Sequence, residues 1–338
     1  MKKRICVPAL FILLSGIQIW FSSFTKQKER RETAFETTIK DSIAVRVELV
    51  YGKDDLPDYY FSQIKTPVCE DSLCYLVTID LYWDLLGNFQ NYKTPKGNPL
   101  TKFDHIRFTN ADHAKMKAIL ANNESSLRDH AVESLVDPEK KKKSAVVVDA
   151  VSGATNTAVK DEVVEGALYS TYTLWHIVNG DIAGKIREHS RPLINETVLR
   201  KMLGSDNAHY QYYALNKIPE QDLDKFAPLL IRLVSEGSSF VPYFAIEKIP
   251  LRIWTSENFQ VTLVKLIGKV EFKMQNEILN KLKDIKLKSN SLDILISYIP
   301  KLNANQRQKV GAIANSNEAA LSAKAAAAVL KSNAIPNP

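Results

Sequence analysis

The sequence predicts an α+β domain followed by an all-α region, and three observations indicate this division. Runs rich in β-branched and aromatic residues, such as Ile43–Val50 and Tyr75–Trp83, occur in the first half and are typical of strands. After about Arg191 such runs stop. Related hexapeptides then recur every 31–33 residues, a spacing typical of stacked helical pairs.

Composition supports a folded protein of about two domains. The chain has 338 residues, of which 45% are hydrophobic and 25% charged, with a net charge of +7. Basic residues are spread along the chain, apart from Lys26–Arg31 and Lys140–Lys143. The second run is interpreted as a solvated loop. Zinc-finger spacings and aromatic–basic motifs are absent from the sequence, so no nucleic-acid partner is expected.

Residues 1–24 are predicted to be a signal or membrane anchor. A basic N-terminus precedes the apolar run Ile5–Phe21. Trp20 and Phe21 stand where signal cleavage requires a small residue, so an uncleaved anchor is favoured over a cleaved signal peptide. A polar, helix-compatible tether is expected over 25–41. The body of the protein is therefore predicted to be membrane-anchored or exported, on the extracytoplasmic (periplasmic) side.

Two cysteines outside the leader are consistent with export. Cys69 and Cys74 have four residues between them and could close a small disulfide loop in an oxidising compartment. Two unrelated thiols are the alternative. Neither a haem-attachment motif nor a convincing zinc site is present in the sequence, and no metal is predicted.

The α+β domain is expected over 42–190. The two strands named above are followed by a turn at Gly87-Asn88 and a short strand at Phe103–Phe108. Helices are predicted at Asp112–Leu120 and Ser125–Val136. The longest helix of this half is expected at Thr157–Val178, because apolar residues recur there at helical spacing: Val159, Val163, Val164, Ala167, Leu168, Tyr172 and Trp175.

The segment Asp149-Ala150-Val151-Ser152-Gly153-Ala154-Thr155 lies between the β-branched run Val146–Val148 and that expected helix. A strand, a turn and a helix N-terminus together favour phosphate binding, because free N–H groups and the helix dipole attract an anion. The alternative is structural, since Ser152 or Thr155 could simply cap the helix.

The pattern Asp-x-x-Ser-Gly-Ala-Thr resembles the flavinylation motif of FMN-binding-domain proteins, which include the flavin subunits of sodium-pumping quinone reductases and Rnf complexes. The resemblance implies an FMN-binding-like fold with FMN attached to Thr155 through a phosphoester. Asp149, Ser152, Gly153 and Ala154 would form the motif recognised by an FAD:protein FMN transferase. The resemblance also implies electron transfer with membrane or exported redox partner proteins, rather than turnover catalysis.

The region 191–335 is predicted to be helical. Ala214–Pro219 recurs as Ala245–Pro250, with a weaker echo at Ile278–Lys283. The pattern resembles HEAT-type repeats, which implies a solenoid with a long partner-binding surface. An irregular helical bundle is the alternative. A second function follows from this region, namely a non-redox exported scaffold whose helical repeats bind a partner protein.

Two further groups of residues are weaker site candidates. Asp-His pairs at 104–105, 112–113 and 129–130 suggest a metal-dependent hydrolase, but adjacent residues do not face the same way, which favours scattered surface pairs. Trp83-Asp84 with Tyr82 and Phe89 forms an aromatic cluster, interpreted as core or sheet surface and otherwise as a stacking surface for a flavin ring.

Overall fold

The computed structural model describes residues 29–40, 42–68, 76–102, 105–135 and 159–333. Within these ranges an antiparallel sheet is followed by a helical region. The predicted order, an α+β part followed by an all-α part, is therefore confirmed.

In the part of the chain that the structure describes, the sheet has five strands that pair in sequence order, each antiparallel to the next. Along the second strand Val45, Val47 and Leu49 are buried while the intervening residues are more exposed, which is the period-two pattern of a sheet with one face in the core. The strands are β1 (Arg31–Ile39), β2 (Ile43–Tyr51), β3 (Pro57–Thr66), β4 (Val77–Trp83) and β5 (Phe89–Lys93).

Two expectations for this part of the chain are wrong. The helix-compatible tether over 25–41 is replaced from Arg31 onward by strand β1, whose Glu, Thr and Arg side chains suit a solvent-exposed sheet edge. The strand expected at Phe103–Phe108 is reduced, in the described residues, to a single bridge between Thr101 and Arg107. Strand β4 and the Gly87 turn, where φ is +77°, agree with the prediction.

Among the described residues, the α+β part contains the helices α1 (Asn110–Ala121), α2 (Leu168–Asn179) and α3 (Asp181–Ser190). Helix α1 begins at a capping box in which the Thr109 and Asp112 side chains each accept a backbone N–H of the other residue. The helix expected at Ser125–Val136 is instead two 3₁₀ turns, at Ser126–Asp129 and Val132–Leu135.

The inner face of the sheet packs against α2 and α3. Trp83 is fully buried and its Nε1 donates to the Val178 carbonyl oxygen at 2.9 Å. The buried Tyr60 hydroxyl lies 2.8 Å from His189 Nδ1 and 2.9 Å from Ser190 Oγ. Because these bonds cross from strands to helices, they fix α2 and α3 on the sheet.

The helical region follows from residue 196. Its helices are α4 (Glu196–Gly204), α5 (Ala208–Lys217), α6 (Leu223–Glu236), α7 (Val241–Lys248), α8 (Leu251–Trp254), α9 (Glu257–Lys265), α10 (Phe272–Leu282), α11 (Ser289–Ser297), α12 (Ala304–Ser316) and α13 (Ala323–Asn333). Helices α5, α7, α10 and α12 contact one another in that order. Helix α4 contacts α6, and α9, α11 and α13 contact one another in order.

Buried side-chain amides link successive helical pairs. Gln211 Oε1 accepts from the Ser238 N–H at 3.2 Å. Gln260 donates to the Lys286 carbonyl at 2.8 Å and accepts from the Lys288 N–H at 2.9 Å. Each of these bonds joins residues 26–28 apart in the sequence, which is close to the hexapeptide spacing. The hexapeptides themselves fall at the C-terminal ends of α5, α7 and α10.

Candidate functional site

The predicted flavin attachment residues lie outside the described residues. Asp149, Ser152, Gly153, Ala154 and Thr155 all belong to the segment 136–158. Cys69 and Cys74 belong to another such segment, 69–75, and the predicted anchor falls within 1–28. The structure describes the residues on either side of the segment 136–158, so the candidate site is characterised from these flanking residues.

The described residues that flank the segment 136–158 lie in the core. Leu135 on one side and Val159 on the other have no exposed side-chain surface. Glu162 then accepts hydrogen bonds from the Ser125 hydroxyl and, at 2.8 Å, from the Ser126 backbone N–H. Partial burial acts to raise the pKa of Glu162, but these hydrogen bonds outweigh it and lower the pKa. Glu162 is therefore a carboxylate at neutral pH.

The helix expected at Thr157–Val178 is wrong in its first half. Residues 160–162 form a short 3₁₀ turn, Gly166 adopts φ +74°, and α2 begins only at Leu168. Thr171 Oγ1 accepts the Val164 N–H at 3.2 Å and donates to the Ala167 carbonyl at 2.7 Å, so it fixes the turn that precedes the helix. Among the described residues after Thr155, the first α-helix begins 13 residues later, at Leu168, so its N-terminus does not supply the phosphate site that was expected next to Thr155.

The apolar residues of that stretch are nevertheless buried as a packing face. Val159, Val163, Val164, Ala167, Leu168 and Trp175 all lie in the core. Their three- and four-residue spacing predicted their burial correctly, but the continuous helix that it also predicted is not formed before Leu168. Gly166 explains the difference, because a left-handed residue interrupts a right-handed helix.

Three side chains of α2 make hydrogen bonds to backbone carbonyl groups of the segment 120–130. We call these side chains, Tyr172, Trp175 and His176, the α2 clamp. Tyr172 donates to the His130 carbonyl at 2.8 Å, and Trp175 to the Asn122 carbonyl at 2.9 Å. His176 Nε2 lies 3.0 Å from the Leu127 carbonyl, which can only accept, so Nε2 carries the proton. Burial lowers the pKa of His176 despite this bond, which keeps the imidazole neutral at pH 7.

The side chains of Asp112 and His113 diverge, as those of neighbours on a helix should. Asp112 forms an ion pair with Lys102 at 2.7 Å, whereas His113 Nδ1 lies 2.6 Å from the Tyr92 hydroxyl. His130 Nδ1 lies 3.3 Å from Ser134 Oγ. Asp104 lies outside the described residues. Across the described ranges, no group of three or more His, Cys, Asp or Glu side chains is placed to hold a metal ion.

The predicted aromatic cluster is divided between different surroundings. Trp83 is in the core, while Tyr82 lies on the opposite face of the sheet, with its ring centroid 5.3 Å from that of Phe61 and 5.8 Å from that of Tyr59. Asp84 is buried and accepts the backbone N–H groups of Leu86 and Asn88, both at 2.8 Å. Desolvation raises the pKa of Asp84. Because the Leu86 and Asn88 N–H groups donate to it, the Asp84 carboxyl group stabilises the β4–β5 turn.

One polar junction was not predicted from the sequence. Tyr60, His189 and Ser190 meet where the sheet contacts α3, and burial raises the pKa of Tyr60 to about 12. Nearby, the Tyr210 hydroxyl of α5 accepts the Leu85 N–H at 2.8 Å. These bonds join residues more than 120 positions apart, so local sequence patterns could not reveal them.

Comparison with protein-family models, curated proteins and solved structures finds no match to this chain. In the part of the chain that the structure describes, no helix is long and apolar enough to cross a membrane.

Proposed function

We propose that this protein is an extracytoplasmic, membrane-anchored or exported electron carrier with FMN attached covalently to Thr155. The observation that carries the proposal is the segment Asp149–Thr155 and its resemblance to the flavinylation motif. In this proposal an α+β FMN-binding-like domain holds the flavin and HEAT-like repeats form a solenoid. The flavin would supply the one- or two-electron chemistry.

The surroundings of the segment 136–158 support this assignment. An acceptor must be presented to the transferase and afterwards kept beside the domain. The buried Leu135 and Val159 and the hydrogen bonds of Glu162 fix the chain on both sides of the segment. The α2 clamp adds a further tie, because Tyr172 holds the His130 carbonyl close to the segment's start.

The transferase would recognise the segment Asp149–Thr155 and activate the Thr155 hydroxyl, which is the one group of this chain that reacts with FAD. The hydroxyl oxygen would attack the phosphorus on the FMN side of FAD. The new bond is a Thr155–FMN phosphoester, the pyrophosphate P–O bond to AMP breaks, and the hydroxyl proton passes to the transferase's base. AMP leaves, and no oxidation or reduction occurs in this step.

The test is the intact mass of the protein co-expressed with an FAD:protein FMN transferase. We expect a gain of about 438 Da, which is FMN less one water, in the wild type. Thr155→Ala should remove the gain, whereas the matched control Thr157→Ala should retain it. An unmodified wild type, under conditions in which a known acceptor protein is flavinylated, would overturn the proposal.

A non-redox scaffold is the second candidate, and the interactions of the helical region favour it. Successive helical pairs are linked by hydrogen bonds of the Gln211 and Gln260 side-chain amides. A 2.8 Å ion pair between Lys281 and Glu247 adds a further link. An array of similar pairs presents an extended surface of the kind that binds protein partners. In this case the wild type would carry no flavin, and partner capture would survive Thr155→Ala.

A further inference from the structure

A cavity of about 390 Å³ lies in the helical region where the turns of two successive helical pairs meet. Three lysines line it. Lys265 ends α9, Lys269 follows the short turn after that helix, and Lys301 lies in the turn after α11. This volume is within the range of about 300–1,000 Å³ that is usual for small-molecule sites. We call it the lysine pocket.

Among the described residues, the lining of the lysine pocket includes three lysines and no aspartate or glutamate. Within the described ranges, none of its three ammonium groups lies within ion-pair distance of a carboxylate. Other lysines of the same region differ, since Lys281 pairs with Glu247 at 2.8 Å and Lys225 with Asp222 at 2.8 Å. Three like charges around one cavity create a local field that favours an anion.

The wall of the pocket is shaped by Gly268 and Tyr298. A Cβ atom at Gly268 would lie 2.8 Å from the Tyr298 hydroxyl and from a ring carbon, so a side chain there would displace the tyrosine. Gln275 is fixed by a bond to the Ile267 carbonyl at 3.1 Å and accepts from Gln306 at 3.0 Å. The wall is therefore held in place by groups other than the lysines.

We propose that the lysine pocket binds a small phosphate-bearing anion with at least two negative charges. Three lysines and one tyrosine are among the lining residues, and their ammonium and hydroxyl groups are hydrogen-bond donors, which suits an anion with several charged oxygens. A cavity of this volume at two adjacent turns has room for a compact anion. The site is separate in sequence from Thr155, and the proposal holds whether or not that residue carries flavin.

The lysines have a competing structural explanation. Lys265 lies in the last turn of α9 and Lys301 in the last turn of a 3₁₀ segment, where a positive charge complements the helix dipole. That explanation predicts lower stability when the lysines are neutralised, and no specific anion binding. The two explanations therefore differ in what they predict for affinity.

Isothermal titration calorimetry of the full chain with inorganic pyrophosphate, at constant ionic strength, tests the proposal. We expect saturable binding with one site, weakened at least about tenfold by Lys265→Gln/Lys269→Gln/Lys301→Gln. The matched control Lys273→Gln/Lys283→Gln/Lys324→Gln removes the same charge from exposed positions of the helical region and should change the affinity less than about twofold.

Three results would overturn the proposal. One is the absence of saturable pyrophosphate binding by the wild type at millimolar concentration. Another is an equal weakening by both triple variants, which would indicate non-specific attraction to a basic protein. The third is a lower melting temperature of the pocket variant with unchanged affinity, which would favour the helix-dipole explanation.

Discussion

The sheet and the helical region are held together in different ways. In the sheet part, hydrogen bonds join residues far apart in the sequence: Trp83 to Val178, Tyr60 to His189 and Trp175 to Asn122. In the helical region, comparable bonds join residues one helical pair apart, as between Gln260 and Lys286. The first pattern closes long loops and makes the sheet part cooperative, whereas the second is a series of nearest-neighbour links. A destabilising substitution should therefore affect the whole sheet part, whereas in the helical region its effect should remain local.

The largest effect is expected at Trp83. Trp83→Ala removes a fully buried ring and leaves the Val178 carbonyl without its donor, so unfolding free energy should fall by about 3–5 kcal/mol. Urea denaturation followed by circular dichroism measures the loss. Tyr82→Ala on the opposite face of the sheet is the matched control and should cost clearly less. Equal costs would contradict the assignment of the two faces.

The contact of the β4–β5 turn with α3 can be isolated with two glycines. Gly87 and Gly97 both have positive φ, but a Cβ at Gly87 would lie 2.5 Å from the Ala183 carbonyl oxygen, whereas Gly97 has no atom within 4 Å. Gly97→Ala should cost about 1 kcal/mol from backbone strain alone. Gly87→Ala should cost at least about 1 kcal/mol more. Thermal denaturation of both variants makes the comparison, and equal melting temperatures would show that the turn does not press on α3.

A buried amide tests whether damage in the helical region remains local. Gln260→Met leaves the Lys286 carbonyl and the Lys288 N–H without their partner and should cost about 1–3 kcal/mol. Gln308→Met at an exposed position of α12 is the control. Hydrogen exchange should accelerate in α9 and α11 but not in the sheet. Equal acceleration in strands β2–β4 would contradict nearest-neighbour coupling.

The smallest effect is expected at Glu162 and depends on pH. Its pKa is lower in the folded protein than in the unfolded chain, so the ionised carboxylate stabilises the fold above the unfolded value of 4.5, and this stabilisation is lost as pH falls through the folded value. Glu162→Gln should cost about 1 kcal/mol at pH 7, since the site is partly solvated. Denaturation curves between pH 7 and pH 3 should show the difference between wild type and variant become smaller as the pH falls below the unfolded value. A difference that stays constant over this range would exclude the carboxylate as its cause.

Residue patterns predicted the elements whose burial is periodic. Strands β2 and β4 alternate or are rich in β-branched residues, and the hexapeptides mark equivalent helix ends. Strand β1 was missed because an edge strand tolerates polar side chains on both faces. The helix before Leu168 was mispredicted because Gly166 and the Thr171 side chain, rather than the apolar spacing, decide the backbone there.

The candidate sites also differ in whether the sequence could predict them. The Tyr60 junction and the lysine pocket depend on side chains brought together by tertiary packing, and single residue types carry no signal for either. The buried glutamines were missed for a related reason, since Gln is usually an exposed residue. The flavin attachment at Thr155 was inferred from a motif alone and stays a prediction.

The measurement that tests the central claim most directly is a peptide map of the protein after co-expression with the flavin transferase. Cleavage after Lys143 and Lys160 isolates a peptide that contains Ser144, Ser152, Thr155 and Thr157 as its hydroxyl residues. The account predicts that this peptide carries one FMN and that fragmentation places it on Thr155. An unmodified peptide beside a flavinylated control acceptor, or FMN on another of these hydroxyls, would contradict it.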